Sequence, residues 1–218
     1  HRPAKAPKLE QQRRVARLTF ANDHANWRMD QWMSILFTDE SRFCWYGQDG
    51  HESVWRRPGE RFITCTLSST MSFQGESVMV WGGISYDAHT KLVFINGVTL
   101  TAARYVEEIL LQHVVPYAHF VTGGFLLLHD NAHAHAAKCV MIQYLDEVGV
   151  NMIEWPARSL DLNPIEHIWD RLGRLARNRI HVPSSLQELR VILQEEWNNM
   201  DPKLKWLAFF GTKCTMFI

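Results

Sequence analysis

Ser34-Ile35-Leu36-Phe37-Thr38-Asp39 is a short apolar run that closes on a carboxylate, and Phe125-Leu126-Leu127-Leu128-His129-Asp130 repeats that shape later in the chain. Short apolar runs of this kind read as buried strands, and Phe125–Leu128 has the bare apolar character of a strand covered on both faces. Buried strands of α/β sheets project functional groups at their C-terminal ends. If these two strands are neighbours, Asp39 and Asp130 lie close together. Two carboxylates in a partly dry site repel unless a cation or proton sits between them, and a divalent metal is the economical solution. Taken singly, each Asp reads as well as a turn former at a strand end.

Working outward, Arg42–Tyr46 reads as a second, aromatic strand closed by Gly47-Gln48-Asp49-Gly50, giving an expected antiparallel hairpin with Ser34–Thr38. Ser77–Tyr86 and Lys91–Ile95 form another strand pair around Asp87-Ala88-His89-Thr90. Ala102–Ala118 carries Tyr105, Ile109, Leu110 and Val114 in a 3.6-residue helical pattern, Ala136–Glu147 is a second helix and Asn151–Glu154 a further short strand. Two amphipathic helices close the chain. Pro164–Asn178 has Ile165, Ile168, Trp169, Leu172 and Leu175 on one stripe, and Ser185–Asn198 has Leu186, Leu189, Ile192, Leu193 and Trp197. Leu9–Asn22 is a lead-in helix with Val15, Leu18 and Thr19 at helical spacing. Strands first, then alternating helix and strand, describe a mixed α/β sheet flanked by helices.

The composition agrees with one such domain. Of 218 residues 46% are hydrophobic, and 23 Lys+Arg balance 23 Asp+Glu, which excludes a disordered or fibrous chain and a uniformly cationic coat. No apolar run approaches the ~20 residues of a membrane-spanning helix, and His1-Arg2-Pro3-Ala4 does not open an apolar signal segment, so no membrane partner is expected. Cys44, Cys65, Cys139 and Cys214 are widely spaced without a CxxC pair, which fits a reducing compartment. The charge is concentrated at one end: Arg2, Lys5, Lys8, Arg13, Arg14 and Arg17 stand against Glu10 alone, a basic arm able to neutralise phosphates or to form a solvated helix face.

A third acidic candidate lies in Asp161-Leu162-Asn163-Pro164-Ile165-Glu166. Asn163 suits an N-cap, Pro164 the first helical position, and Glu166 the third, where it can close a capping box. Equally, Glu166 at the start of a helix beside the sheet can turn its carboxylate to the same metal. His129, His133 and His135 supply zinc-type ligands, but their spacing matches no usual zinc signature. Trp27, Trp32, Trp45, Trp55 and Trp81 could stack on bases, though most should be core. No phosphate-binding Gly loop, dinucleotide turn or nucleophile elbow is present.

These residues together resemble the catalytic domain of Tc/mariner-type DNA transposases, and the Tc branch more closely. The resemblance rests on Phe37-Thr38-Asp39-Glu40-Ser41-Arg42-Phe43, Ser77-Val78-Met79-Val80-Trp81-Gly82-Gly83, His129-Asp130-Asn131-Ala132, and Trp155-Pro156-Ala157-Arg158-Ser159 running into Asp161-Leu162-Asn163-Pro164-Ile165-Glu166. It runs from about Leu9 to about Leu204. It implies a ribonuclease-H-like α/β fold and an acidic triad of Asp39, Asp130 and Glu166 that binds two Mg²⁺ ions, with Mn²⁺ as substitute, for in-line phosphoryl transfer. It also implies DNA partners, namely transposon ends and a TA target, a homodimer, and a nuclear location. The alternative from another class is a catalytically idle, transposon-derived DNA- or protein-binding module.

The implied organisation is a basic lead-in over residues 1–26, a catalytic domain over 27–204 and a divergent tail over 205–218. Thirty-five residues separate Asp130 from Glu166, one more than the commonest Tc-branch spacing, and the loop before Trp155 can absorb the extra residue. The paired helix-turn-helix modules that precede this domain in the family are not among the 218 residues, and Trp206–Ile218 does not resemble the family's final helix.

Overall fold

The computed structural model describes residues 10–44, 77–97, 100–118, 125–128, 144–157, 159–179 and 183–201. Its centre is β1 (Ile35–Cys44), which pairs antiparallel with β2 (Ser77–Ile84) from Phe37↔Ile84 to Cys44↔Ser77. β1 is a single ten-residue strand, not the hairpin expected from Ser34–Thr38 and Arg42–Tyr46. Thr38-Asp39-Glu40-Ser41 is polar but holds no Gly or Pro to turn the chain, and β2 supplies backbone partners along the whole stretch. On its other edge β1 pairs parallel with β4 (Leu126–Leu128), through Ile35↔Leu126, Leu36↔Leu127 and Phe37↔Leu128. β3 (Val93–Ile95) lies antiparallel on β2, and β5 (Asn151–Met152) parallel on β4. The order is β3-β2-β1-β4-β5, the mixed sheet that the sequence implied.

Side chains alternate between two cores. On one face Ile35, Phe37, Val78, Val80, Ile84 and Leu128 meet α5 (Ile165–Arg177) and α6 (Leu186–Asn198). On the other, Leu36, Trp81, Ile95 and Leu127 meet a helical crossover between β3 and β4. That crossover starts as α3 (Ala102–Arg104), continues as a π-helix, π1 (Tyr105–Val114), and ends as α4 (Val115–Ala118). Tyr105, Ile109, Leu110 and Val114 are buried as expected, but the repeat is wider than 3.6. Val115 N–H donates to Leu110 C=O, the i→i+5 bond of a π-helix. Residues 144–147 are helical and contribute Leu145 to this second core, while 136–143 lie outside the described residues.

The lead-in helix α1 (Gln11–Asp23) is peripheral. Val15 and Leu18, expected as its apolar stripe, are 55% and 62% exposed, and the buried anchor is Phe20. Its ring stands edge-on to Trp155 and stacks on His24, beside Trp27 of the connection and Trp32 within α2 (Met29–Met33). Trp32 and Trp81 are core, as expected, and Trp27 packs partly buried against it. Cys44 is a free half-buried thiol. No helix among the described residues is long and apolar enough to cross a membrane.

Candidate active site

Thr38 is a fully buried polar residue at the point where three elements meet. Its hydroxyl donates to the carbonyl of Leu128, the last residue of β4, at 2.8 Å. Its carbonyl accepts from the Asn163 side-chain amide at 3.4 Å, a long bond between fully buried groups. Buried polar groups are costly unless paired, so these bonds lock the register of the three segments to one another. Asn163 also accepts, through Oδ1, from Ile165 N–H at the start of α5. Asn163 thus caps the helix entry through Oδ1 as read, with Pro164 at the N-cap position of α5, while its amide nitrogen reaches across to the sheet. Thr38 precedes Asp39, Leu128 stands two residues before Asp130, and Asn163 stands three before Glu166.

Asp39 is 7% exposed and faces the α5 side of the sheet, in phase with Ile35 and Phe37. Trp169 Nε1–H donates to Asp39 Oδ2 at 3.1 Å. The rung opposite explains how an indole reaches a carboxylate in mid-sheet. Asp39 pairs with Gly82, and a Cβ on Gly82 would sit 2.8 Å from Trp197 Cη2 and 3.0 Å from Trp169 Cη2. A side chain there would push both indoles away. Trp169 stacks on Trp197, with centroids 5.2 Å apart and planes at 23°, and stands edge-on to Phe43. Trp197 Nε1–H is used elsewhere, donating to Thr90 C=O at 2.8 Å.

Glu166 lies half-buried on the first turn of α5, its N–H donating to Asn163 C=O. One turn further stands Trp169, so the helix face that presents the donor to Asp39 also carries Glu166. Asp130, His129, His133 and His135 lie outside the described residues, so the structure brings together the settings of Asp39 and Glu166 and leaves the third acid to the chain that leaves Leu128. Among the described residues no group of three His, Cys, Asp or Glu side chains is gathered to hold a metal ion. Asp39 and Glu166 are hard oxygen donors, the type that Mg²⁺ and Mn²⁺ take.

Sequence reasoning missed Thr38, Asn163 as a cross-layer tie, and Trp169. The signal for Asn163 and Trp169 was present only as a cap and as one position on an apolar stripe. It also placed Arg17 in a basic arm, read either as phosphate-binding or as a solvated helix face. Arg17 instead clamps Asp161 through two bonds of 2.7 Å, tying α1 to the 3₁₀ turn Leu160–Leu162 just before Asn163. The Asp161 carboxylate holds the Arg17 guanidinium above its usual pKa. Arg13 pairs with Glu10, and Arg14 is exposed.

The family described as DDE superfamily endonuclease matches residues 34–190. The transposable element Tcb2 transposase of Caenorhabditis briggsae is 34% identical over 178 residues, covering 81% of this chain and 64% of that protein. The Tc1 transposase of Caenorhabditis elegans is 33% identical over 174 residues, covering 79% and 63%. The chain thus spans somewhat under two thirds of the length of these curated relatives. Among solved structures, the Mos1 transposase paired-end complex with left transposon end superposes with a TM-score of 0.76 at 18% identity, covering 98% of this chain and 65% of that one. The catalytic domain of Mos1 mariner transposase alone gives 0.66 at 16% identity, covering 100% and 94%. These structural matches establish the ribonuclease-H-like fold, and the family match over most of the chain, containing β1, β4 and the start of α5, establishes that this protein belongs to the DDE superfamily endonucleases.

Proposed function

We propose that this domain cuts and joins DNA by metal-dependent phosphoryl transfer, as the catalytic part of a Tc-type transposase. The observation that carries the reading is the convergence at Thr38. One buried residue is bonded to β4 two residues before Asp130 and to the α5 entry three before Glu166, and it is itself followed by Asp39. Two residues of chain span at most about 7 Å, and that covalent reach from Leu128 is the distance within which Asp130 follows β4 in the sequence.

In this reading Asp39, Asp130 and Glu166 hold the cations, and all three supply carboxylate oxygens suited to a hard divalent ion. Two bound Mg²⁺ ions, or Mn²⁺ in their place, would activate water or a 3′-hydroxyl and stabilise the leaving oxygen. The protein's own part is to hold its carboxylates in place: Thr38, bonded to the β4 end and to Asn163, ties β1 to the turn that bears Glu166. Such a site needs no side-chain nucleophile. DNA as the partner is supported by the Mos1 structures, which include complexes with a transposon end and with Mn or Mg. A TA target, a homodimer and a nuclear location are proposed by the same likeness to Tc-type transposases.

The test is thermal unfolding of the wild type and of Asp39→Asn with Asp130→Asn, titrated with Mn²⁺, beside nicking of supercoiled plasmid. Binding to the native state alone stabilises by about 2.7 kcal/mol at a hundredfold excess over Kd. A shift that vanishes in the double variant, with Mn²⁺-dependent nicking lost alongside it, supports the reading. No shift in a folded wild type overturns it.

A further inference from the structure

We propose that Trp169 is a positioning residue for the metal site: its indole N–H fixes one oxygen of Asp39 and thereby aims the carboxylate. The inference rests on the metal-binding reading of Asp39 given above.

Three observations carry it. The bond from Trp169 Nε1 to Asp39 Oδ2 is buried, and indole N–H only donates, so the contact names the Asp39 oxygen that it holds. The indole cannot swing away, because Trp197 stacks on it and Phe43 stands at its edge. The sheet is shaped to admit it: residue 82, facing Asp39 across the strands, is a glycine, and a single added carbon would crowd both indoles. Trp169 also sits one helical turn beyond Glu166, so one rigid segment of α5 would orient two of the three carboxylates. Outer partners of this kind commonly set ligand orientation, and losing one lowers metal affinity roughly 10- to 100-fold.

The experiment measures the Mn²⁺ dissociation constant of the whole chain by electron paramagnetic resonance, with unfolding in the absence of metal as a second readout. Trp169→Phe keeps an aromatic ring but loses the donor, and it should weaken Mn²⁺ binding about tenfold or more. Trp81→Phe is the control, since it truncates a fully buried indole on the opposite face of the sheet, away from the Trp169 stack, and it should leave Mn²⁺ affinity within about twofold. Should Trp169→Phe fail to fold, 3-benzothienylalanine at position 169 keeps the bicyclic shape without an N–H, and 7-azatryptophan, which keeps the N–H, should restore affinity. Equal losses in both tryptophan variants, or none at Trp169, overturn the positioning role while a loss in Asp39→Asn keeps the site. Unchanged Mn²⁺ binding in Asp39→Asn takes down the site reading and this inference together.

Discussion

The two faces of the sheet bury tryptophan differently. On the α5/α6 face the two stacked indoles spend their N–H groups, Trp169 on the Asp39 carboxylate and Trp197 on the Thr90 carbonyl. On the π1 face Trp81 is fully buried among Leu36, Ile109, Leu110 and Leu127, and its N–H finds no acceptor among the described residues. The first face therefore fixes its stacked indoles by directional bonds, whereas the second buries its indole by packing, which is non-directional, with the Ser85–Tyr117 hydrogen bond as its directional tie. A site that must hold charge at defined positions belongs on the first kind of face, and the candidate acids at Asp39 and Glu166 are found there. The second face serves as the floor that keeps β1 and β4 in register.

This contrast can be broken most directly by crossing function with stability. Asp39→Asn should abolish the Mn²⁺-dependent thermal shift and cut plasmid nicking by more than about a hundredfold, a larger loss than removing an outer partner brings. Leu127→Ala, on the opposite face, should lower unfolding free energy by about 2–5 kcal/mol in urea while leaving the Mn²⁺ affinity of the folded protein unchanged. If Leu127→Ala weakened metal binding as much as Asp39→Asn, the two faces would not be separable.

A smaller effect sharpens the comparison. Replacing any buried Trp by Phe leaves a cavity, but Trp197→Phe also loses a hydrogen bond, whereas Trp81→Phe removes an unpaired donor. Trp81→Phe should therefore cost less than Trp197→Phe, by about 1 kcal/mol, in paired urea titrations. Equal costs would mean that the N–H groups do not distinguish the faces.

The apolar strand segments Ile35–Thr38 and Leu126–Leu128 were legible because a short apolar run is a local signal, but Asp39, read as a strand end, stands in mid-strand because β1 continues to Cys44; α5 and α6 were legible from their apolar stripes. Long-range ties were not. Arg17 meets a partner 144 positions away, and Thr38 meets Leu128 and Asn163 across 90 and 125, separations at which one sequence carries no pattern. Periodicity assigned Trp169 to the core and could not say that its N–H points at Asp39. It found the lead-in helix α1, but the spacing of Val15 and Leu18 did not show that they stay exposed, because a helix docked through Phe20 at one end buries little else. The π1 repeat was blurred for a related reason: buried positions at 105, 109, 110 and 114 satisfy both a narrow and a wide turn.

The smallest expected effect lies on the packed face and concerns pH. His113, near the end of π1, lies beside Trp81 with ring centroids 6.1 Å apart. Burial, and secondly the charge of Lys91, holds its imidazole below the ordinary value of 6.5. Protonation is thus harder in the folded protein than in the unfolded chain, so the unfolded chain binds more protons in that window. The contribution of His113 to stability is complete above about pH 6.5, falls as pH drops toward the folded value, and is flat below it. His113→Gln should remove that slope from a series of urea titrations between pH 7.5 and 5, and Lys91→Met should reduce it only in part, since burial is the larger cause. A slope that survives His113→Gln would place the titrating group elsewhere, and the packed face would then be electrostatically silent as well as apolar.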